Sequence, residues 1–271
     1  MDAVGNAVNR PHAIAAIAAL LLSAIISMTI APSPALGYDA EGDVSIMAER
    51  LATRSATIDV SDLGWDRERA ADALHGAMST SVHYSDLDLV GVGSCTLFSK
   101  ADEDADHPGS ADHVEVVLIS DEDDIRSLNA AVTERIERIA GMARLVDDER
   151  TRAWLIYRAL AESIAYDKDY DMAHTPYGAL LYHRADCTGI SCAYKLICDA
   201  SGIDCEVVSG TVARKDGILL SHAWNTIVID GTEFQVDVTF ALTEGAPGQA
   251  SDMWFMSAEP FHGREIEGVT P

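Results

Sequence analysis

The second half of the chain holds a cysteine whose thiol could act as a nucleophile. Cys187 lies in "HRADCTGISCAYK", residues 183–195, directly before a stretch that predicts a helix. The free N–H groups and the positive dipole end of a helix N-terminus stabilise a thiolate, which is the form of cysteine that attacks carbonyl carbon. Taken alone, the residue could also form a disulfide, bind a metal or fill a core.

A histidine and an aspartate further along the chain favour the nucleophile. "SHAWNTIVI" and "TEFQVDVTF" predict two strands, and Asp230-Gly231 between them is a strong signal for a two-residue hairpin turn. With that turn, His222 and Asp237 are diagonal neighbours, roughly 7–8 Å apart at the backbone and within reach of a side-chain hydrogen bond. A four-residue loop keeps this arrangement, whereas a three-residue loop breaks it.

The same register places four side chains on one face of the hairpin, because strand side chains alternate with period two. Trp224 then lies opposite Asp237, and His222 lies opposite Thr239. An aspartate on an inner strand position is costly unless it has a partner. The hairpin therefore predicts a histidine oriented by a carboxylate, the second half of a nucleophile–base–orienter triad.

The elements that must position these residues can also be predicted. From Thr188 to Ser201 apolar residues recur at helical spacing; Asp186 or Thr188 can cap the start, and Gly202 closes the end. "DCEVVSGTV" predicts the next strand. Earlier in the chain, "VHYSDLDLVGVGSCTLFSK" predicts two strands and "VEVVLIS" another, followed by a helix toward Ala140 and a second in "DDERTRAWLIYRALAESIAYD".

Three blocks of the sequence resemble the transglutaminase-like superfamily of papain-like cysteine enzymes. They are "DCTGISCAYKLICDASGIDCEVVSG", "SHAWNTIVIDG" and "FQVDVTF", and the resemblance spans roughly residues 146 to 265. The family pattern falls on Cys187, Gly189, Gly202-Ile203, His222 with Trp224-Asn225, and Asp237 with Thr239-Phe240. Ile190 departs from it, since many bacterial members carry an aromatic residue there.

The resemblance implies roles for the matched residues. Cys187 would attack a carboxamide or ester carbonyl, and His222 would take the thiol proton and return it to the leaving amine. Asp237 would fix the imidazole tautomer, while backbone N–H groups around Cys187 form part of the oxyanion site. Trp224, Asn225 and Thr239 would support the site, and no cofactor is implied.

The expected fold is α+β, with a nucleophile helix packed on an antiparallel sheet and a mixed α/β region before it. Residues 1–37 resemble an export signal: the run from Ala13 to Ala31 is uncharged and a small-residue cleavage-like site ends at Gly37, although an uncleaved signal anchor stays open. Residues 38–145 form an N-terminal extension of unknown role, and residues 146–271 form the catalytic domain. The chain is therefore expected outside the cell or at its surface.

Composition restricts the partners. The chain has 271 residues, with 44 acidic against 19 Lys and Arg and a net charge of −25, which argues against nucleic acid. The expected partner is a protein or peptide substrate, with a membrane involved only if the N-terminal segment stays uncleaved. The sequence does not predict an oligomeric state.

The remaining cysteines and the acidic segments predict no metal site. The five cysteines show no paired zinc spacing; Cys192, Cys198 and Cys205 are expected to pack, and Cys95 also, with a disulfide left open. "DKDYD", residues 167–171, begins like a calcium loop but lacks its glycine and final glutamate. The acidic loop 101–113 is expected to be a solvated surface, and weak binding of a cation there stays open.

Three functions remain open at this point. The favoured one is an exported cysteine acyltransferase or hydrolase acting on amide bonds. The second is a cysteine peptidase or amidase acting on peptides or cell-wall material. The third is a non-catalytic binding module that keeps the fold, which the intact set of Cys187, His222 and Asp237 disfavours.

Overall fold

The computed structural model describes residues 40–99, 110–213 and 218–244, together with 255, 257 and 264–266. The predicted export segment 1–37 and most of the acidic loop lie outside these residues. Within the described part of the chain, no helix is both long enough and apolar enough to cross a membrane.

The chain alternates helices and strands. The helices are α1 (Ala40–Leu51), α2 (Arg67–Ala77), α3 (Thr80–His83), α4 (Leu87–Val90), α5 (Glu122–Ala143), α6 (Glu149–Ser163), α7 (Cys187–Ala200) and α8 (Val238–Glu244). The strands are β1 (Thr57–Asp59), β2 (Val92–Ser99), β3 (Ala111–Leu118), β4 (Ala165–Tyr166), β5 (Arg184–Ala185), β6 (Asp204–Ala213), β7 (Leu219–Ile229), β8 (Thr232–Val236) and β9 (Arg264–Ile266).

A four-stranded antiparallel sheet, in the order β8-β7-β6-β9, carries the main core. Helix α7 packs on β6 and β7, and α5 and α6 pack on α7. The apolar stripe predicted for α7 is the reason, because Ile190, Tyr194 and Ile197 are fully buried in that core. The expected α+β fold, with the cysteine-bearing helix packed on an antiparallel sheet, is confirmed.

A smaller antiparallel sheet, in the order β1-β3-β2, lies in the N-terminal region. It packs with α1 and α2 around a second core that includes Trp65 and Val114. Helix α5 also precedes residue 146, yet its buried residues Val132, Ile136 and Ala140 belong to the main core. The division at residues 145/146 stays a prediction.

The prediction of two strands in residues 82–100 is wrong for the first half of that segment. It forms the short helices α3 and α4, and only its second half is the strand β2. Asp86 caps α4 by accepting a hydrogen bond from the Asp88 N–H at 2.8 Å. Aspartates that bond to a nearby backbone N–H favour a turn or helix start over a ladder position.

The hairpin between β7 and β8 has the predicted register. Ile229 pairs with Thr232 and Asn225 with Val236, which confirms the two-residue turn. Asp230 and Gly231 have φ of 51° and 74°, the left-handed values that this kind of turn requires at both central positions. The register of the hairpin therefore brings Asp237 next to His222 in space.

Candidate active site

Cys187 is the first residue of α7, and its side chain is half-buried. The preceding residue, Asp186, caps the helix: its Oδ1 accepts a hydrogen bond from the Gly189 N–H at 3.1 Å. The Ile190 N–H donates to the Asp186 carbonyl oxygen at 3.0 Å. Of the first N–H groups of α7, those of Cys187 and Thr188 have no acceptor among the described residues, so they can meet a ligand beside the thiol.

His222 lies on β7 with its side chain only 7% exposed. Its Nε2 is 2.8 Å from Oδ2 of Asp237, as the hairpin register predicted. The Cys187 thiol also lies close enough to His222 to raise the pKa of the imidazole. Since Asp237 occupies Nε2, the second ring nitrogen, Nδ1, is the one left for the thiol.

Asp237 is fully buried, and both of its carboxylate oxygens have hydrogen-bond partners. Oδ2 faces His222, while Oδ1 accepts a hydrogen bond from the Phe240 N–H at 2.9 Å. The predicted strand through Phe240 is wrong here: β8 ends at Val236 and α8 begins at Val238. Asp237 ends the strand because it caps the following helix, and the same capping satisfies a charge that burial would otherwise penalise.

The surroundings of His222 favour its charged form. Burial lowers the pKa of His222, but the hydrogen bonds and charges of Asp237 and Cys187 outweigh it and raise the pKa to about 9. At neutral pH the imidazole is therefore protonated, with a carboxylate on one side and a thiol on the other. A raised pKa suits His222 to the task of a base that takes a proton from the neighbouring thiol and holds it.

Two aromatic rings flank the imidazole of His222. Phe240 stacks with a ring-centroid distance of 4.8 Å and an interplanar angle of 26°, and Trp224 lies at 6.0 Å and 18°. Trp224 is fully buried, and Phe240 is partly buried. The rings restrict the rotation of His222 and exclude water from it, which keeps its bond to Asp237 in place.

Asn225 connects the cysteine-bearing helix to the sheet. It is fully buried, and its Nδ2 donates to the Ser191 carbonyl at 3.0 Å and to the Glu206 carbonyl at 3.2 Å. The carbonyl of Ser191 belongs to α7 and that of Glu206 to β6. The side chain acts on the site through the placement of α7 and does not contact the reacting groups.

Thr239 does not lie opposite His222 as predicted. Because β8 has ended, Thr239 lies in the first turn of α8, where its carbonyl accepts a hydrogen bond from the Thr243 hydroxyl at 2.9 Å. It is buried, with 4% of its surface exposed. Its contribution is to the packing of the helix that Asp237 caps.

One residue beside the site was missed by sequence reasoning. Nδ1 of His174 lies 2.6 Å from Oδ2 of Asp186, the residue before Cys187. The hydrogen bond to Asp186 raises the pKa of His174 in spite of partial burial. An isolated histidine in the loop after β4 gives no periodic or spacing signal, and the acidic residue before the cysteine is the only hint in the sequence.

All five cysteines are free thiols. Cys192, Cys198 and Cys205 are buried, and Cys95 packs at the edge of the smaller core, so the expectation that they fill space is confirmed. Burial raises the pKa of Cys192 to about 12 and that of Cys95 to about 11, which keeps both thiols protonated and inert.

The described ranges contain no group of three or more His, Cys, Asp or Glu side chains arranged to hold a metal ion. In the calcium-like segment, Asp167 forms an ion pair with Arg184, whose Nε lies 2.9 Å from Asp167 Oδ2. That pairing uses the first carboxylate of the segment.

Residues 137–237 match the family model of the transglutaminase-like superfamily. The matched region belongs to this superfamily. Its members are usually cysteine-dependent enzymes. The match contains Cys187 and His222 and ends at Asp237, so the transglutaminase-like region includes the whole constellation described above. It begins inside α5, earlier than the predicted domain start at residue 146.

Solved structures resemble the chain only distantly. A TGase aligns at 15% identity and a TM-score of 0.37 over 62% of this chain and 50% of its own, so the chain spans half the length of that relative. A protein of Cytophaga hutchinsonii, provisionally named a cysteine protease, aligns at 12% identity and a TM-score of 0.36 over 65% and 71%. A provisionally named protease of Parabacteroides distasonis aligns at 13% and 0.29 over 56% and 36%. No curated protein sequence matches at a significant level.

Proposed function

We propose that the chain is an exported transglutaminase-like cysteine enzyme that forms an acyl-enzyme at amide bonds of peptides or proteins. The observation that carries the proposal is His222, which Asp237 holds at 2.8 Å and whose pKa is raised by the neighbouring Cys187 as well as by Asp237. Nucleophile, base and orienter in mutual hydrogen-bonding reach are what covalent acyl transfer requires.

The reaction begins when the sulfur of Cys187 adds to the carbonyl carbon of a carboxamide. His222 takes the thiol proton as the sulfur attacks, and its raised pKa holds the proton there at neutral pH. His222 then gives that proton to the departing nitrogen as the tetrahedral intermediate collapses to a thioester, and ammonia or an amine leaves. Asp237 keeps the imidazole in one orientation throughout.

The negative charge on the substrate oxygen needs donors. The N–H groups of Cys187 and Thr188 lie at the start of α7 and are not used by the helix cap, which engages Gly189. They also lie at the positive end of the helix dipole, where an oxyanion is stabilised. These two groups are the proposed oxyanion donors from the protein backbone.

The thioester is resolved by water or by an amine. Attack by water releases a carboxylic acid, and the enzyme is then a hydrolase. Attack by a primary amine forms a new amide, and the enzyme is then a cross-linking enzyme.

The net charge and the N-terminal segment bear on partners and location. The strongly acidic chain, with a net charge of −25, makes a nucleic acid an unsuitable substrate. An extracellular or cell-surface location follows from the resemblance of residues 1–37 to an export signal, and a membrane is involved only if that segment stays uncleaved.

The test uses a glutamine-containing peptide, with and without an added primary amine, followed by mass spectrometry. Wild type is expected to replace the side-chain nitrogen with oxygen, or with the added amine, and Cys187→Ala is expected to do neither. Cys192→Ala is the matched control, because it removes a buried thiol of the same helix and should retain the reaction.

The products separate the remaining alternatives. Cleavage of the peptide backbone in place of side-chain conversion would make the chain a cysteine peptidase or amidase. Turnover by Cys187→Ala at the wild-type rate would overturn the proposal. Absence of turnover, together with a Cys187 that reacts no faster than a free thiol, would favour a binding module.

A further inference from the structure

A second histidine–carboxylate pair lies next to Cys187. Nδ1 of His174 is 2.6 Å from Oδ2 of Asp186, and Asp186 directly precedes the proposed nucleophile. The triad of Cys187, His222 and Asp237 does not include either residue. The pair therefore needs an explanation of its own.

Asp186 is fixed by several contacts. Its Oδ1 accepts from the Gly189 N–H at 3.1 Å, and its own N–H donates to the Ala173 carbonyl at 3.0 Å. The loop that carries His174 packs closely against the first turn of α7. A Cβ added at Gly189 would lie only 2.2 Å from the Ala173 carbonyl oxygen. The bonds to Gly189 and His174 hold the carboxylate of Asp186 in one place at the start of α7.

A fixed carboxylate beside Cys187 opposes the chemistry proposed for that residue. Like charges repel, so a negative Asp186 disfavours the thiolate and the oxyanion that follows it. The Asp186 side chain is only 13% exposed, which limits screening by water. A cation in contact with Asp186 offsets this penalty. His174 lies in that position, and its hydrogen bond to Asp186 raises its pKa, which favours the protonated form.

We propose that His174 is a positioning residue of the acyl-transfer site: it holds the Asp186 carboxylate and balances its negative charge where Cys187 must ionise. The inference rests on the proposed function, since it matters only if Cys187 is the nucleophile. His174 acts through Asp186. Its side chain is 47% exposed, so it can exchange protons with solvent without opening the core.

The other ionisable groups around Asp186 and Cys187 do not take over this role. They come from the end of α3, β4, α7, β7 and the start of α8, and they are Tyr84, Tyr166, Cys192, His222 and Asp237. Burial raises the pKa of both tyrosines and of Cys192, to about 12 for Tyr84 and Cys192, so these three stay neutral. His222 is already paired with Asp237, and Arg184 with Asp167.

The pH profile of Cys187 alkylation tests the proposal in the full-length protein. The thiolate displaces iodide from iodoacetamide, so the rate at Cys187, followed by peptide mass spectrometry, reports how readily the thiolate forms. Four proteins are compared at low ionic strength: wild type, His174→Gln, Asp186→Asn and the double variant. Glutamine can still donate a hydrogen bond to Asp186. Asparagine at position 186 can keep the helix cap through its oxygen while its NH₂ group faces position 174, so both substitutions remove a charge with little change in volume.

His174→Gln is expected to move the acid limb of the profile upward by about half to one pH unit, which is about a three- to tenfold lower rate on that limb. In the Asp186→Asn background the same substitution should change the profile little, because no carboxylate is left to balance. Circular dichroism and the Tm check that all four proteins fold.

The outcomes separate this inference from the proposed function. An unmoved acid limb in His174→Gln, or a shift that persists in the Asp186→Asn background, overturns the role of His174 while leaving Cys187 as the nucleophile. A wild-type Cys187 that reacts no faster than a free thiol overturns both. A loss of Tm in His174→Gln with an unmoved limb would mean that His174 only holds the loop.

Discussion

Replacing Asp237 with asparagine removes one charge and very little volume, and the structure predicts a large effect. Both carboxylate oxygens of Asp237 accept hydrogen bonds, one from His222 at 2.8 Å and one from the Phe240 N–H at 2.9 Å. An amide has one oxygen and one NH₂ group, so asparagine can accept only one of the two. Either the cap of α8 or the orientation of His222 must fail.

The magnitude follows from the pKa of His222. Burial alone lowers it, yet it lies at about 9, compared with an ordinary value of 6.5. That difference corresponds to about 3 kcal/mol in favour of the imidazolium, and the hydrogen bond to Asp237 makes the largest contribution that raises the pKa. Asp237→Asn is therefore expected to lower the pKa of His222 by at least about one unit, and the unpaired group costs about 1–3 kcal/mol of unfolding free energy.

The assay is an NMR titration of the imidazole protons in wild type and Asp237→Asn. The chain has nine histidines, so His222→Gln identifies the signal to follow. Asp148→Asn is the control, because Asp148 also caps a helix by accepting an N–H, from Thr151 at 2.8 Å, but has no contact with His222. A His222 midpoint that stays the same in Asp237→Asn would refute the electrostatic reasoning for the site.

Three further predictions concern stability and helix placement. The pKa of His222 in the folded protein is about 9 and lies above its unfolded value. The stabilisation that the charged imidazole gives is therefore fully present below about pH 6.5 and is lost as the pH rises through 9. Urea unfolding across this range should show a fall of up to about 3 kcal/mol in the free energy of unfolding, and His222→Gln should lack this fall. Gly189→Ala would place a Cβ 2.2 Å from the Ala173 carbonyl oxygen and should lower the free energy of unfolding by about 1–3 kcal/mol in urea unfolding. Gly141→Ala is the control: its Cβ would lie 4.0 Å from the nearest atom, so the same measurement should find it neutral or stabilising. Asn225→Ala leaves two backbone carbonyls without their donor, so it should lower the free energy of unfolding by about 1–3 kcal/mol and slow the alkylation of Cys187. An unchanged alkylation rate would show that the amide does not position the helix.

The relation of His222 to Asp237 could be predicted from sequence because it depends on local rules. The Asp230-Gly231 turn fixes the strand register, and period-two alternation fixes which side chains share a face. The same reasoning placed Thr239 wrongly, since it extended the strand beyond Val236. Sequence alone did not reveal that a buried aspartate can orient a base and cap a helix at once.

Other features depend on contacts between distant segments and gave no local signal. His174 reaches Asp186 only because the intervening chain folds back on the start of α7. Helix α5 joins the main core through tertiary packing, which its own periodicity does not specify. The prediction of a strand where the short helices α3 and α4 lie is wrong because short apolar runs do not distinguish a strand from a helix. The cap formed by Asp86 decides for the helix.

The most direct test of the account is the alkylation rate of each cysteine in the native protein at neutral pH. A free thiol is only a few per cent ionised there, so a cysteine paired with an imidazolium should react about tenfold faster. The account predicts that Cys187 reacts at this higher rate, that the buried Cys192 stays unmodified, and that His222→Gln reduces the rate at Cys187 to that of a free thiol. A Cys187 that reacts no faster than free cysteine in the wild-type protein would contradict the account.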